Sequence, residues 1–210
     1  MRATMFRTVS MRNIPNALTV ARILMTPLML MLLVTPTFWA QLGALLVFIT
    51  ASVSDYLDGE LARRMGARSR FGKFLDPMAD KILVLGTFIT LSVLRPQVVP
   101  WWAVLLIALR DLGVTGLRSW AESYGHSLRT LSIAKWKTSA QLFFLFLMLV
   151  MLTAAHGGPA TYAQWVLEHT IIPFALLMAV VGFTLYTGAL YVLQVQSLQQ
   201  ESSRPPGPSN

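Results

Sequence analysis

Apolar residues in this chain come in long runs, not in alternation. The runs extend from about Ile14 to Val34, Ala40 to Ala62, Leu75 to Leu94, Trp101 to Trp120, Ile133 to Ala155 and Ile171 to Val195. Each is close to the length an α-helix needs to cross hydrocarbon. Between them lie "TPTFW", a basic segment around Gly66, "RPQVVP", "AESYGHSLRTLS" and "HGGPATY". Proline, glycine and clustered polar residues there end helices. The pattern predicts an all-α integral membrane protein, a bundle of six transmembrane helices occupying residues 1–196. The opening "MRATMFRTVSMRN" is basic, but the run after it is too long for a secretory signal and no small-residue cleavage site follows. It is expected to be a retained helix. The Pro/Ser-rich residues 197–210 are expected to form a disordered polar tail. No internal repeat is visible.

Composition agrees and adds exclusions. Of 210 residues, 55% are hydrophobic and 12% charged, about half the charge of a soluble domain. There is no cysteine, which rules out disulfides, thiol nucleophiles and thiolate metal sites. The net charge of +8 might suggest nucleic acid, but the basic residues sit between apolar runs, as membrane orientation requires. They crowd the N-terminus and the segments after the second and fourth runs. Positive-inside logic then places both termini in the cytoplasm, together with the segment after the second run. No nucleic-acid partner is expected.

The acids are placed differently. Of nine, five fall between Ser54 and Lys81: Asp55, Asp58, Glu60, Asp76 and Asp80. Asp55 and Asp58 are spaced i,i+3 and Asp76 and Asp80 i,i+4, so each pair shares a helix face. With a short connection, the second and third helices are antiparallel neighbours and the four carboxylates can converge at their cytoplasmic end. Crowded carboxylates at a membrane edge must protonate or hold a cation. Oxygen donors without cysteine or clustered histidine favour Mg²⁺ or Mn²⁺ over zinc. Two ions roughly 3.5–4 Å apart are a recurrent device of phosphoryl chemistry. The plainer alternative is that the aspartates pair with nearby arginines and simply finish two helices. Taken singly each would favour it; two same-face pairs do not.

The spacing Asp55-x2-Asp58-Gly59-x2-Ala62-Arg63-x8-Gly72-x3-Asp76-x3-Asp80 resembles, without departure, the signature of the CDP-alcohol phosphatidyltransferases. "NIPNALTVARI", "RFGKFLDPMADK", "ALRDLGVTGLRSWAE" and "AKWKTSAQ" are similar to its bacterial branch that uses a glycerol phosphate acceptor. The resemblance is clear from Asn13 to Gln141. It implies six transmembrane helices in the bacterial cytoplasmic membrane, a polar cavity open to the cytoplasm, and a homodimer. It implies that Asp55, Asp58, Asp76 and Asp80 hold divalent metal and that Asp80 is also the general base. Gly59, Arg63, Ser69 and Gly72 would contact CDP-diacylglycerol, with Asn16 and Thr19 on the cytidine side. The implied reaction transfers a phosphatidyl group from CDP-diacylglycerol to sn-glycerol 3-phosphate and releases CMP.

A phosphorylated acceptor needs its own basic pocket, for which Arg110, Arg118, Lys135 and Lys137 are the candidates. Lys135 and Lys137 could equally be snorkelling to the interface, and Asp111 could pair with a basic residue instead of binding ligand. For Arg22 two readings stay open, reaching the cavity or pairing with an acid. His126, His156 and His169 are scattered; Trp101, Trp102 and Trp165 read as interface anchors. Rival functions are the same chemistry with phosphatidylglycerol, inositol phosphate or serine as acceptor, and a cation transporter. A transporter's acids would lie nearer mid-bilayer.

Overall fold

The computed structural model describes residues 21–65, 70–123, 132–157 and 160–202, with side chains outside the described set at 55–65, 70–80, 118–123, 132–135 and 196–202. Seven helices run through the described residues: α1 (Ala21–Val34), α2 (Phe38–Met65), α3 (Arg70–Leu94), α4 (Trp101–Ser123), α5 (Ser132–Ala155), α6 (Ala160–His169) and α7 (Ile172–Ser202). All six expected helices are present. Two of them, over Trp136–Ala155 and Ile172–Val195, are long and apolar enough to cross a membrane by length and composition within the described residues.

Local chemistry sets the helix ends. The Thr37 hydroxyl accepts the Ala40 N–H (3.4 Å) and caps the start of α2. The Pro100 carbonyl receives the Ala103 N–H at 3.0 Å, opening α4. The Gln164 side chain of α6 donates to the Ala155 carbonyl at 3.0 Å, satisfying the end of α5.

Helix α5 is central and packs against α2, α3, α6 and α7, while α4 packs along α7 and α3. Phe48, Leu83, Phe88, Ile107, Leu145 and Leu149 are fully buried in this core, and Phe88 stacks on Phe144 with ring centroids 5.9 Å apart. Helix α1 lies against α2 and α3, with Leu32 beside Gly43 and Leu30 beside Gly86. The outer surface is apolar as well: Leu24, Met31, Val93, Leu109, Phe143 and Leu193 are exposed. Water would penalise such a surface, and lipid does not. Thr50, also outward-facing, returns its hydroxyl to the Leu46 carbonyl at 2.8 Å, which hides the polar group inside its own helix.

Two features differ from the sequence expectation. The last three residues of "HGGPATY" open α6, ten residues long, which buries Ala163 and Leu167 and exposes Tyr162 and Trp165. A segment this short, placed between turn signals, shows too little periodicity to declare itself. Helix α7 also runs on to Ser202, into the segment expected to be a disordered tail. Leu198, Gln199, Gln200 and Glu201 are all good helix formers and prolong it before Pro205 and Pro206.

Three connections share one end of the bundle. The Phe38 ring, opening α2, lies against Gly157 between α5 and α6. Arg95, between α3 and α4, pairs with Glu168 of α6 at 3.5 Å. Trp39, Trp101, Tyr162 and Trp165 are exposed around that end.

Candidate active site and acceptor pocket

The signature aspartates fall on helical backbone, Asp55 and Asp58 in α2, Asp76 and Asp80 in α3. Each pair therefore shares a helix face. Gly59 and Arg63 belong to α2 and Gly72 to α3. The side chains of all these residues lie outside the described set, as do Asn16, Thr19 and Ser69 altogether. A donor set of carboxylates on two helical faces fits a hard divalent cation by its chemistry.

Arg22 of α1 bears on the same region. It is buried, and its Nε donates to the Ala51 carbonyl of α2 at 3.3 Å, one turn before Asp55. An arginine is thus committed to the backbone of the aspartate-bearing helix.

A second cluster lies among the described side chains. Asp111 of α4 is 7% exposed, and its Oδ1 accepts from Lys137 Nζ of α5 at 2.6 Å and from Arg110 Nη1 at 3.1 Å. Arg110 continues to α7, where Nε donates to the Thr184 carbonyl at 3.0 Å and Nη2 to the Thr187 hydroxyl at 2.8 Å. On the other side of α4, Lys81 of α3 donates to the Asp111 carbonyl at 3.1 Å and to the Thr115 hydroxyl. Thr115 in turn donates to the Asp111 carbonyl at 2.8 Å. Gln141 of α5 lies against Thr184, with Nε2 to Oγ1 3.4 Å. Four helices meet around one residue, Asp111.

These side chains wall a cavity of about 170 Å³, lined by Lys81, Arg110, Asp111, Thr115, Lys137 and Gln141 among others. At about 30 Å³ per water it has room for several waters or a tetrahedral oxyanion. Among the described residues its walls bring the side chains of Lys81, Arg110 and Lys137 together with that of Asp111, an ionised lining inside an otherwise apolar bundle.

Of the four candidates for acceptor phosphate, Arg110 and Lys137 come together here. Arg118 and Lys135 lie on α4 and α5, but their side chains are outside the described residues. Lys137 is buried and paired, not snorkelling. Asp111 pairs with basic residues, one of the two roles open to it. Lys81, Thr115, Gln141, Thr184 and Thr187 escaped the sequence reading. Signals existed: Lys81 directly follows Asp80, Thr115 is one turn past Asp111, and Thr184 and Thr187 make an i,i+3 pair inside an apolar run.

The chain is similar to known proteins over most of its length. A protein from Pseudomonas fluorescens is 34% identical over 86% of this chain and 88% of its own length. One from Bacillus subtilis is 33% identical over 86% of this chain and 94% of its own. One from Escherichia coli K12 is 37% identical over 63% of this chain and 74% of its own. Each bears the name CDP-diacylglycerol–glycerol-3-phosphate 3-phosphatidyltransferase. The family model described as CDP-alcohol phosphatidyltransferase matches residues 12–186, a span that takes in the four signature aspartates and the residues named around Asp111 other than Thr187, and the chain belongs to that family of integral membrane enzymes.

Proposed function

We propose that this enzyme transfers a phosphatidyl group from CDP-diacylglycerol to sn-glycerol 3-phosphate, giving phosphatidylglycerophosphate and CMP. The observation that supports a phosphorylated acceptor is the cavity around Asp111, to which Arg110 and Lys137 bring guanidinium and ammonium donors of the kind that match phosphate oxygens. Serine offers no such dianion. A cation path is opposed by the same charge. The names of the three relatives support the reading.

In this reading Asp55, Asp58, Asp76 and Asp80 hold the divalent metal, Mg²⁺ or Mn²⁺ and two ions by the pairing of the donors. When bound, the metal offsets the negative charge of the diphosphate. Gly59, Arg63, Ser69, Gly72, Asn16 and Thr19 hold the CDP moiety. Arg110 and Lys137, with Arg118 and Lys135, grip the acceptor's phosphate and orient its free hydroxyl. Asp80 takes the hydroxyl proton. The oxygen forms a bond to the phosphorus bearing diacylglycerol, the bridging P–O bond breaks, and CMP leaves with that electron pair. A carboxylate is a weak base for an alcohol, so positioning must supply much of the rate.

The positive-inside pattern of the sequence and the exposed aromatic residues support a membrane placement. Helices α1–α5 and α7 are the six spans, with both termini and the aspartate end facing the cytoplasm of a bacterial inner membrane. Trp39, Trp101, Tyr162 and Trp165 form the aromatic belt of the opposite interface, where α6 lies. A homodimer is the expected assembly.

The test is CMP release by purified protein given CDP-diacylglycerol and, separately, glycerol 3-phosphate, phosphatidylglycerol, inositol phosphate or serine. Turnover with glycerol 3-phosphate alone is expected, lost on chelation and restored by Mg²⁺ or Mn²⁺. Turnover with serine instead would replace the acceptor and keep the family; activity that survives exhaustive chelation would remove the metal.

A further inference from the structure

The cavity and the aspartate helices are described above as separate places, yet one side chain joins them. Lys81 directly follows Asp80 on α3, and its ammonium is held on α4 by the Asp111 carbonyl at 3.1 Å and by the Thr115 hydroxyl. We propose that Lys81 is a positioning residue, a strap that fixes the height and rotation of α3 at Asp80 relative to the phosphate pocket. The inference rests on the reading of Asp80 as base and of the cavity as the acceptor-phosphate site.

Neighbouring residues of a helix are separated by about 1.5 Å of rise and 100° of turn, so whatever fixes Lys81 fixes Asp80 with it. The far end of the strap is equally well tied. Thr115 returns its own hydroxyl proton to the Asp111 carbonyl at 2.8 Å, which aims its oxygen lone pairs outward to receive Lys81. Asp111 is held through its carboxylate by Lys137 of α5 and by Arg110, itself fastened to α7. The acceptor's phosphate and the base for its hydroxyl are therefore referred to one residue of α4. A lysine serving only to mark the membrane boundary would send its ammonium to water. Here it reaches a main-chain carbonyl and a hydroxyl, directional partners on a neighbouring helix, and those bonds anchor one helix to the other.

Lys81→Met removes the donor, Thr115→Val removes its partner from the α4 side, and Lys81→Arg keeps a cation donor. The readouts on full-length protein in detergent are kcat and KM from CMP release, and the Kd for glycerol 3-phosphate by calorimetry without CDP-diacylglycerol. A misplacement of about 1 Å costs roughly 100-fold, so Lys81→Met is expected to lower kcat by about 10–100-fold. Its KM and Kd for glycerol 3-phosphate should stay within about threefold of wild type, since the grip on phosphate is elsewhere. Thr115→Val should move kcat the same way by less, the double variant should be no worse than Lys81→Met alone, and Lys81→Arg should recover part of the loss. Unchanged kcat in Lys81→Met or Thr115→Val overturns the strap. So does a weakened Kd with kcat retained, which would make Lys81 a direct phosphate ligand. If Lys81→Met fails to fold, Thr115→Val and Lys81→Arg decide on the same readouts. Wild-type protein that releases no CMP with glycerol 3-phosphate would instead sink the functional reading beneath it.

Discussion

Replacing Asp111 by asparagine changes one charge at the meeting point of four helices while keeping the side chain's size and an acceptor oxygen. In the wild type, two cations sit 2.6 and 3.1 Å from its Oδ1, with all three side chains less than a tenth exposed. At an effective dielectric constant of about 20, unit charges at such separations attract by roughly 5–6 kcal/mol each. Most of that offsets the cost of taking the ions out of water, but removing the carboxylate's charge leaves the desolvated cations without that compensation. Breaking a buried pair in this way costs about 3–5 kcal/mol. Asparagine still accepts a hydrogen bond, so the lower end, about 3 kcal/mol, is expected. At about 2–4 °C per kcal/mol for a chain of this size, the melting temperature in detergent should fall by roughly 6–12 °C.

The second half of the prediction separates an anion site from a plain structural ion pair. If the cavity takes phosphate, inorganic phosphate supplies the missing negative charge. Saturating to about 100 times its Kd returns about 2.7 kcal/mol, enough to recover most of the loss. The assay is a melting curve against phosphate at constant ionic strength, with chloride as the control. The variant should respond at lower phosphate than the wild type, because no carboxylate competes for Arg110 and Lys137. A variant that melts with the wild type refutes the energetic reading of Asp111. One that is destabilised but gains no more from phosphate than the wild type does refutes the anion site.

Asp80→Asn should lower CMP release by about 10²–10⁴-fold with the fold intact, as loss of a general base does; near-normal turnover would remove Asp80 from the mechanism. A Cβ at Gly188 would meet Arg110 Cγ at 2.8 Å, so Gly188→Ala should push the guanidinium off Thr187. The loss of a charged hydrogen bond, about 1.5–3 kcal/mol, should raise KM for glycerol 3-phosphate roughly 10–100-fold and leave that for CDP-diacylglycerol unchanged; equal effects on both would argue against it. A Cβ at Gly157 would come within 2.9 Å of the Phe38 ring. Gly157→Ala should therefore cost about 1–3 kcal/mol of stability, read as a lower melting temperature, with turnover per folded molecule preserved.

The helices were legible because lipid forces apolar runs of a set length, and the turns because proline and glycine interrupt them. Phosphate-pocket residues were legible only as far as charge made them conspicuous. Arg110 and Lys137 stand out in apolar helices, and both reach the cavity. Lys81 did not stand out, because a lysine beginning an apolar run is what a membrane boundary looks like. Thr184 and Thr187 lie far along the chain from Arg110, and a threonine in a membrane helix usually serves its own backbone, as Thr50 and Thr87 do here. Spacing within one helix can be read from the sequence; which helix lies opposite cannot. Helix α6 fails for another reason. At ten residues, with Ala163 and Leu167 as its buried side, it presents barely one repeat.

The pairing of Asp111 with the phosphate-binding cations makes sense once the fate of the acceptor's phosphate is followed. In the proposed reaction that group is untouched: it enters on glycerol 3-phosphate and leaves on the lipid product. Every contact to it is therefore made equally before, during and after transfer, and such uniform binding lowers KM without speeding the chemical step. A pocket holding Arg110 and Lys137 with no acid between them would grip the product as tightly as the acceptor, and the product must leave into the bilayer. Asp111 shares the same Arg110 and Lys137 donors, so phosphate has to compete with a carboxylate already in place. The same bonds keep the two cations aimed while the pocket is empty of phosphate, which lowers the ordering needed on binding. One residue thus limits affinity and preserves geometry. Its removal should accordingly tighten product inhibition as well as lower stability, a combination that an ion pair serving the fold alone would not produce.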